Sequence, residues 1–236
     1  MRLKGKRAVV TGGSRGIGQA IAKAMIAEGA EVIVCSRRLE GITAAAQEIG
    51  ARPEVCHTGD LAAIEAFWER VGPVDILVNN AATNPYFGPM MDLEWRAWDK
   101  TFEVNVKGPF EMTRQAVKRG CTNVIFVSSV FGLTGAPDQG IYAMTKASLV
   151  SLTKTLSFEL APEVRVNAIA PGLVRTKFAA ALTEDEENCR GFTDRAALGR
   201  VAEADEIGGV AVFLASEEAR FITGQTLAVD GGYTVA

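Results

Sequence analysis

Short apolar runs rich in β-branched residues alternate with helical patterns along nearly the whole chain, and this alternation most restricts the fold. Strands are predicted at Arg7–Val10, Glu31–Cys35, Glu54–His57, Val74–Val78, Asn123–Val127, Val164–Ile169 and Thr226–Val229. Helices are predicted over Gly16–Glu28, Leu39–Ile49, about Ala62–Arg70, Glu94–Lys118, about Ile141–Leu160 and Ala204–Leu214. Several strands are unbroken apolar runs, as expected where both sheet faces are covered. Such alternation builds an α/β, doubly wound parallel sheet of about seven strands with helices on both faces. A chain of 236 residues, 48% of them hydrophobic, can fill one core of this kind. No repeat, low-complexity tract or Pro/Ser-rich linker divides it, so residues 1–236 read as a single domain.

Charge and cysteine usage remove several function classes. A net charge of −3 offers no electrostatic footprint for nucleic acid. No apolar run reaches the length of a membrane span, and Met1–Arg7 enters the first strand without a signal-peptide apolar region. Cys35, Cys56, Cys121 and Cys189 are widely spaced and read as free thiols of a reducing cytoplasm, with no metal site. His57 is the only histidine, which argues against a Ser-His-Asp hydrolase; it falls in the third predicted strand and reads as a sheet residue. The run Glu184-Asp185-Glu186-Glu187 reads as a solvated helix face.

The first strand ends in Thr11-Gly12-Gly13-Ser14-Arg15-Gly16-Ile17-Gly18, where a helix begins. Glycines let the backbone approach a pyrophosphate closely, and the helix N-terminus presents free N–H groups to it. The first strand–helix turn of such a sheet is where dinucleotides bind. A carboxylate after the second strand bonds the ribose 2′-OH of NAD; here that strand ends Ser36-Arg37-Arg38. Arg15 and these arginines match the geometry of a 2′-phosphate, so NADP(H) is the expected cofactor.

Tyr142 and Lys146 lie four apart within a predicted helix, hence on one face. A free phenol, with a pKa of about 10, is a poor acid–base group near neutral pH. A nearby ammonium favours its phenolate, so the pair has the makings of a general acid/base.

Taken together and in order, these motifs resemble those of the classical short-chain dehydrogenase/reductase family, over about Lys6 to Gly232. Gly12, Gly16 and Gly18 match that family's TGxxxGxG loop, and Asn79-Asn80-Ala81-Ala82 resembles its NNAG segment. Asn105 matches its helix asparagine. Ser129, 13 residues before Tyr142, matches its Ser…YxxxK site and is preferred over Ser128 on that spacing. Pro171-Gly172-Leu173-Val174-Arg175-Thr176 matches PGxVxT, and Thr223–Gln225 with Val229–Gly232 match the C-terminal signature.

The resemblance implies a Rossmann-type fold and a role for each matching residue. Tyr142 is the acid/base, and Lys146 lowers its pKa and bonds the nicotinamide ribose. Ser129 bonds the substrate oxygen, and Asn105 holds a proton-resupplying water. The cofactor set comprises Gly12, Ser14, Arg15, Gly16, Ile17, Gly18, Ser36, Arg37 and Arg38 at the phosphates, and Asp60 and Leu61 at the adenine. It continues with Asn80, Ala81 and Ala82 near the ribose and Val174 and Thr176 at the carboxamide, and it includes Pro171, Gly172, Tyr142 and Lys146. Two departures stand out. Ala82 replaces a glycine, and short spacings before Asn79 and Ser129 imply trimmed helices ahead of the fourth and fifth strands. The family also implies a homotetramer.

The implied reaction is NADP(H)-dependent hydride transfer between nicotinamide and a carbonyl or secondary alcohol. Candidate pocket residues are Thr83 to Phe87, Val130, Phe131 and Leu173, with a lid around Phe178–Leu182 inside about 175–200. These are mostly apolar and favour neutral ketones or aldehydes. A 3-oxoacyl thioester reductase and a sugar or polyol dehydrogenase are the alternatives within the family; a non-catalytic NADPH sensor is the alternative outside enzymology.

Overall fold

The structure is a computed structural model and describes residues 1–235. Its strands are β1 (Arg7–Thr11), β2 (Glu31–Ser36), β3 (Arg52–Val55), β4 (Ile76–Asn79), β5 (Asn123–Val127), β6 (Arg165–Pro171) and β7 (Thr226–Val229). The helices through the middle of the chain are α1 (Gly16–Ala27), α2 (Leu39–Ile49), α3 (Leu61–Val71), α4 (Trp95–Phe102), α5 (Gly108–Lys118) and α6 (Gly140–Glu159). Two short helices, α7 (Ala180–Thr183) and α8 (Glu186–Thr193), precede α9 (Asp205–Ala215).

All seven strands are parallel, in the order β3-β2-β1-β4-β5-β6-β7. Successive strand residues point to opposite faces, so both faces acquire a core from one unbroken apolar run. Val10, Val34, Val78 and Ile125 pack toward α1 and α9. Val9, Ile33, Leu77 and Phe126 pack toward α3, α5 and α6 with the fully buried Phe67 and Trp68. The order reverses between β1 and β4, which opens a crevice at their C-terminal ends.

Two elements differ from the sequence expectation. The third strand runs Arg52–Val55 rather than Glu54–His57. Proline argues against a strand interior, but β3 is the sheet edge, where Pro53 is tolerated. His57 therefore lies beyond the strand, in the loop leading to α3. The expected helix over Glu94–Lys118 is interrupted by a π-helical segment, Glu103–Lys107, between α4 and α5. In an α-helix the Asn105 carbonyl would accept from residue 109, but Pro109 has no N–H, so the α-helical ladder cannot continue there. Gly108 follows because a Cβ at that position would run into the Thr58 carbonyl oxygen.

The helices before β4 and β5 are short, 11 residues each, as the spacings imply. Among the described residues, no helix is long and apolar enough to cross a membrane. No group of three or more potential metal ligands occurs among them either.

Candidate active site

The crevice is a cleft of about 610 Å³, within the usual range for small-molecule sites. Its floor is the glycine loop. Gly12 and Gly13 both donate to the Cys35 carbonyl, at 2.9 and 3.3 Å, which ties the loop to the end of β2. Thr11 Oγ1 accepts from the Asn80 and Ala81 N–H groups, each at 3.0 Å, and Asn80 Nδ2 donates to the Thr11 carbonyl at 2.8 Å. The loop and the segment after β4 are thus one stapled unit. A Cβ on Gly12, which has φ +67°, would sit 2.9 Å from Asn80 Nδ2, and one on Gly13 would sit 2.7 Å from Val34. Glycine keeps this cradle thin. The first turn of α1 has no side-chain cap and no acidic residue, so its N–H groups and positive end stay available to an anion.

Arg15, Ser36 and Arg37 line this end of the cleft. No Asp or Glu is among the lining residues. Arg38 is exposed and does not reach the wall, although its carbonyl accepts from Ser36 Oγ at 3.3 Å. Asp60 and Leu61 do not reach the wall either. Asp60 caps α3, its Oδ1 accepting from Ala62 and Ala63, and Leu61 is largely exposed. Cys56, His57 and Thr58 occupy that part of the wall instead. His57 Nδ1 accepts from the Gly59 N–H at 3.0 Å, and Lys100 Nζ lies 3.5 Å from Nε2. Nothing in the sequence pointed to these three, because the predicted third strand, Glu54–His57, held Cys56 and His57 and ended just before Thr58.

At the other end, β5 and α6 bring the reactive side chains together. Ser129 caps the turn after β5, its Oγ accepting from the Phe131 N–H at 3.2 Å, and its hydroxyl lies near enough to the Tyr142 phenol to favour the ionised form. Ser128 Oγ donates instead to the Lys146 carbonyl at 2.8 Å, a structural bond. Ser129 is therefore the serine paired with the tyrosine, as the spacing to Tyr142 implies. Lys146, 2% exposed, donates from Nζ to the Val127 carbonyl at 2.7 Å and sits 5.4 Å from the Tyr142 ring centroid.

The electrostatics differ from the expectation of a depressed phenol. Burial pushes the Tyr142 phenol well above its ordinary range, and the nearby Ser129 hydroxyl only partly offsets that. Burial also pulls the Lys146 ammonium down to about 7. Tyr142 is consequently protonated at neutral pH, the state required of an acid that donates a proton.

Asn105, at 1% exposure, does not reach the cleft wall and acts as a clamp. Its Oδ1 accepts from the Thr83 N–H at 2.8 Å, while Nδ2 donates to the Thr83 carbonyl at 2.8 Å and to Thr145 Oγ1 at 3.1 Å. Thr145 Oγ1 in turn donates to the Tyr142 carbonyl at 2.7 Å. Both amide hydrogens are thus taken, which leaves one lone pair of Oδ1 and the backbone carbonyl to serve a water.

Ala81, Ala82, Pro171, Gly172, Val174 and Thr176 line the stretch between the two ends. Around Tyr142 the wall is apolar. Phe178 lies 5.9 Å from the Tyr142 ring, and Phe131 meets Phe192 edge-on at 6.2 Å. Tyr233 backs Phe192 with a stacked ring at 4.0 Å. Asn84 and Phe87 reach the wall, whereas Pro85 and Tyr86 do not. Gln139, which the sequence did not single out, does.

A family model described as enoyl-(acyl carrier protein) reductase matches residues 12–234. The human "Dehydrogenase/reductase SDR family member 4" is 39% identical, over 98% of this chain and 88% of its own length. The Arabidopsis thaliana "Short-chain dehydrogenase/reductase SDRA" is 36% identical, over 98% and 95% respectively. Among solved structures, a gluconate 5-dehydrogenase from Burkholderia cenocepacia J2315, in complex with NADP and tartrate, superposes with a TM-score of 0.93. It is 34% identical, with 100% of this chain and 97% of that one covered.

Proposed function

This chain belongs to the classical short-chain dehydrogenase/reductase family, and from that premise we propose that it is an NADP(H)-dependent enzyme reducing neutral ketones or aldehydes to alcohols. The observation that carries the reading is the Ser129–Tyr142 hydroxyl pair at the closed end of a glycine-floored cleft without carboxylates. The cradle fits a dinucleotide, since a Cβ at Gly12 or Gly13 would collide with its surroundings and the α1 N-terminus is uncapped. Arg15 and Arg37 would hold a 2′-phosphate, Asn80 to Ala82 and Lys146 the nicotinamide ribose, and Val174 with Thr176 the carboxamide. When bound, the nicotinamide supplies the hydride chemistry.

The chain's own residues do the rest. Ser129 and Tyr142 hold the carbonyl oxygen in one orientation, which lowers the entropic part of the barrier. Tyr142 gives up its proton to that oxygen as negative charge develops, while Ser129 stabilises the charge through its hydroxyl. Lys146 stands behind the phenol to offset the phenolate that remains. The rings of Phe131, Phe178 and Phe192, with the segment around Phe178–Leu182 acting as a lid, exclude water and favour an apolar substrate body. A gluconate dehydrogenase among the similar structures supports a second reading, a sugar or polyol substrate, and the polar Asn84 and Gln139 in the wall favour it. By family resemblance the chain is a homotetramer.

The test is NADPH oxidation against a panel of simple ketones, aldehydes, sugars and acyl thioesters. We expect turnover that Tyr142→Phe lowers by about 10²–10⁴-fold, the worth of a positioned acid, while NADPH binding measured by its fluorescence is retained. Tight NADPH binding with no turnover on any carbonyl would favour the sensor, and acyl thioesters far outrunning simple ketones would replace the substrate class.

A further inference from the structure

Two amide side chains meet at the substrate end of the cleft. Asn84 Nδ2 donates to Gln139 Oε1 at 3.1 Å, and both residues line the cavity. Asn84 Oδ1 is buried and accepts no hydrogen bond from the described residues. Gln139 is 7% exposed, and its side chain makes no other hydrogen bond among those residues. One amide–amide bond therefore leaves an acceptor on Asn84 and a donor on Gln139 without a protein partner among the described residues. Exchanging oxygen and nitrogen on both amides leaves the same kind of pair, one donor and one acceptor, so the conclusion does not depend on which way the amides are turned.

Each amide is rigidly placed by contacts independent of their mutual bond. Asn84 follows Thr83, whose N–H and carbonyl are both held by Asn105, at 2.8 Å each. Gln139 is the N-cap of α6 and lies three residues before Tyr142, so its side chain projects from the same helix face about one turn away. Asp138, with φ +60°, turns the chain into that cap, and its carbonyl accepts from the Gly88 N–H at 2.8 Å. The two loops are thus already stitched together without the amide bond. A purely structural amide pair would spend its remaining donors and acceptors on protein partners, because buried polar groups without partners are costly. Here they find none among the described residues, although both residues line the cavity.

We propose that Asn84 and Gln139 form a specificity element that takes a hydroxyl group on the carbon beside the reacting carbonyl. A hydroxyl is donor and acceptor in one atom, which matches the two unpartnered groups. A carboxylate there would meet the Asn84 acceptor oxygen and be disfavoured, and an ether could accept but not donate. The substrate class is then neutral α-hydroxy ketones or aldehydes with an apolar body. This rests on the reductase reading above and narrows it.

The test compares kcat/KM for 2-hydroxy-1-phenylethanone, its methyl ether and acetophenone, with NADPH. The ether controls for the electron withdrawal of the neighbouring oxygen. The wild-type enzyme is expected to prefer the hydroxy ketone over the ether by about 10–100-fold, the scale of one buried acceptor left without its donor. Asn84→Leu and Gln139→Leu should each bring that ratio close to one. Because the ratio is taken within one preparation, a partly unfolded variant does not imitate the effect. An unchanged ratio in both variants, or a wild-type ratio near one, overturns the proposal while leaving the reductase standing. No oxidation of NADPH with any of the three ketones, or with the wider carbonyl panel, removes the reductase reading and this inference with it.

Discussion

Lys146 carries an ammonium at 2% exposure; among the described residues no carboxylate pairs with it, and its Nζ donates to the Val127 carbonyl. The cost of burying that charge appears as an affinity for the proton lowered to about 7. Between there and its unfolded value near 10.5, the unfolded chain holds a proton that the folded chain does not. Stability from this residue therefore rises with pH across that window, and the penalty is fully present below about 7. Replacing the ammonium should relieve on the order of a few kcal/mol at pH 7, set by the shift at about 1.4 kcal/mol per unit. Lys146→Met without cofactor is expected to gain melting temperature relative to wild type at pH 6–7, with the gain shrinking toward pH 10. A gap that stays constant with pH would show that the lysine is not strained by burial. The Tyr142/Lys146 spacing was legible in the sequence, but the direction of the Tyr142 shift was not. Burial depends on neighbours from β5 and on Phe178, which sequence spacing does not place. The same holds for Gln139 and Thr145, ordinary residues until the fold puts one in the cleft and the other between Asn105 and Tyr142.

The elements that receive the cofactor are the end of β2 and the start of α1, joined through the Cys35 carbonyl and the glycine loop. Both ends present arginine, Arg37 and Arg15, and neither presents a carboxylate. Arg37→Asp should therefore lower the NADPH/NADH ratio of kcat/KM by about 10–100-fold, the worth of one charge-assisted hydrogen bond. An unchanged ratio would take the 2′-phosphate away from this strand end. Strand ends and the glycine turn were readable because glycine, β-branched and apolar residues act locally. The π-helical segment Glu103–Lys107 was readable in principle from Pro109, whose missing N–H falls opposite the Asn105 carbonyl. Helical periodicity alone passes over it. The shift of β3 to Arg52–Val55 was not readable, since a proline is acceptable there only because β3 is the edge strand.

At the scale of the whole molecule, Trp95, Phe158 and Phe221 stand 76%, 86% and 101% exposed, which leaves their rings available to an interface. With the family's habit of assembly, this predicts a homotetramer by light scattering, and a monomer at micromolar concentration would contradict it. The alternation of apolar runs and helical patterns determined the class of fold, because sheets covered on both faces and helices with one apolar side leave local periodicities. Gly12, Gly16, Gly18, Ser129, Tyr142 and Lys146 were likewise singled out as candidates in the sequence, because the chemistry expected of them depends on residue type and short spacing. The tertiary structure alone decided which residues share a wall. It withdrew Arg38, Asp60 and Leu61 from the cleft, brought in His57 and Gln139, turned Asn105 into a clamp and kept the Tyr142 phenol protonated. Proximity across a sheet and the dielectric around a buried group arise from residues far apart in the chain, and neither leaves a periodic trace in it.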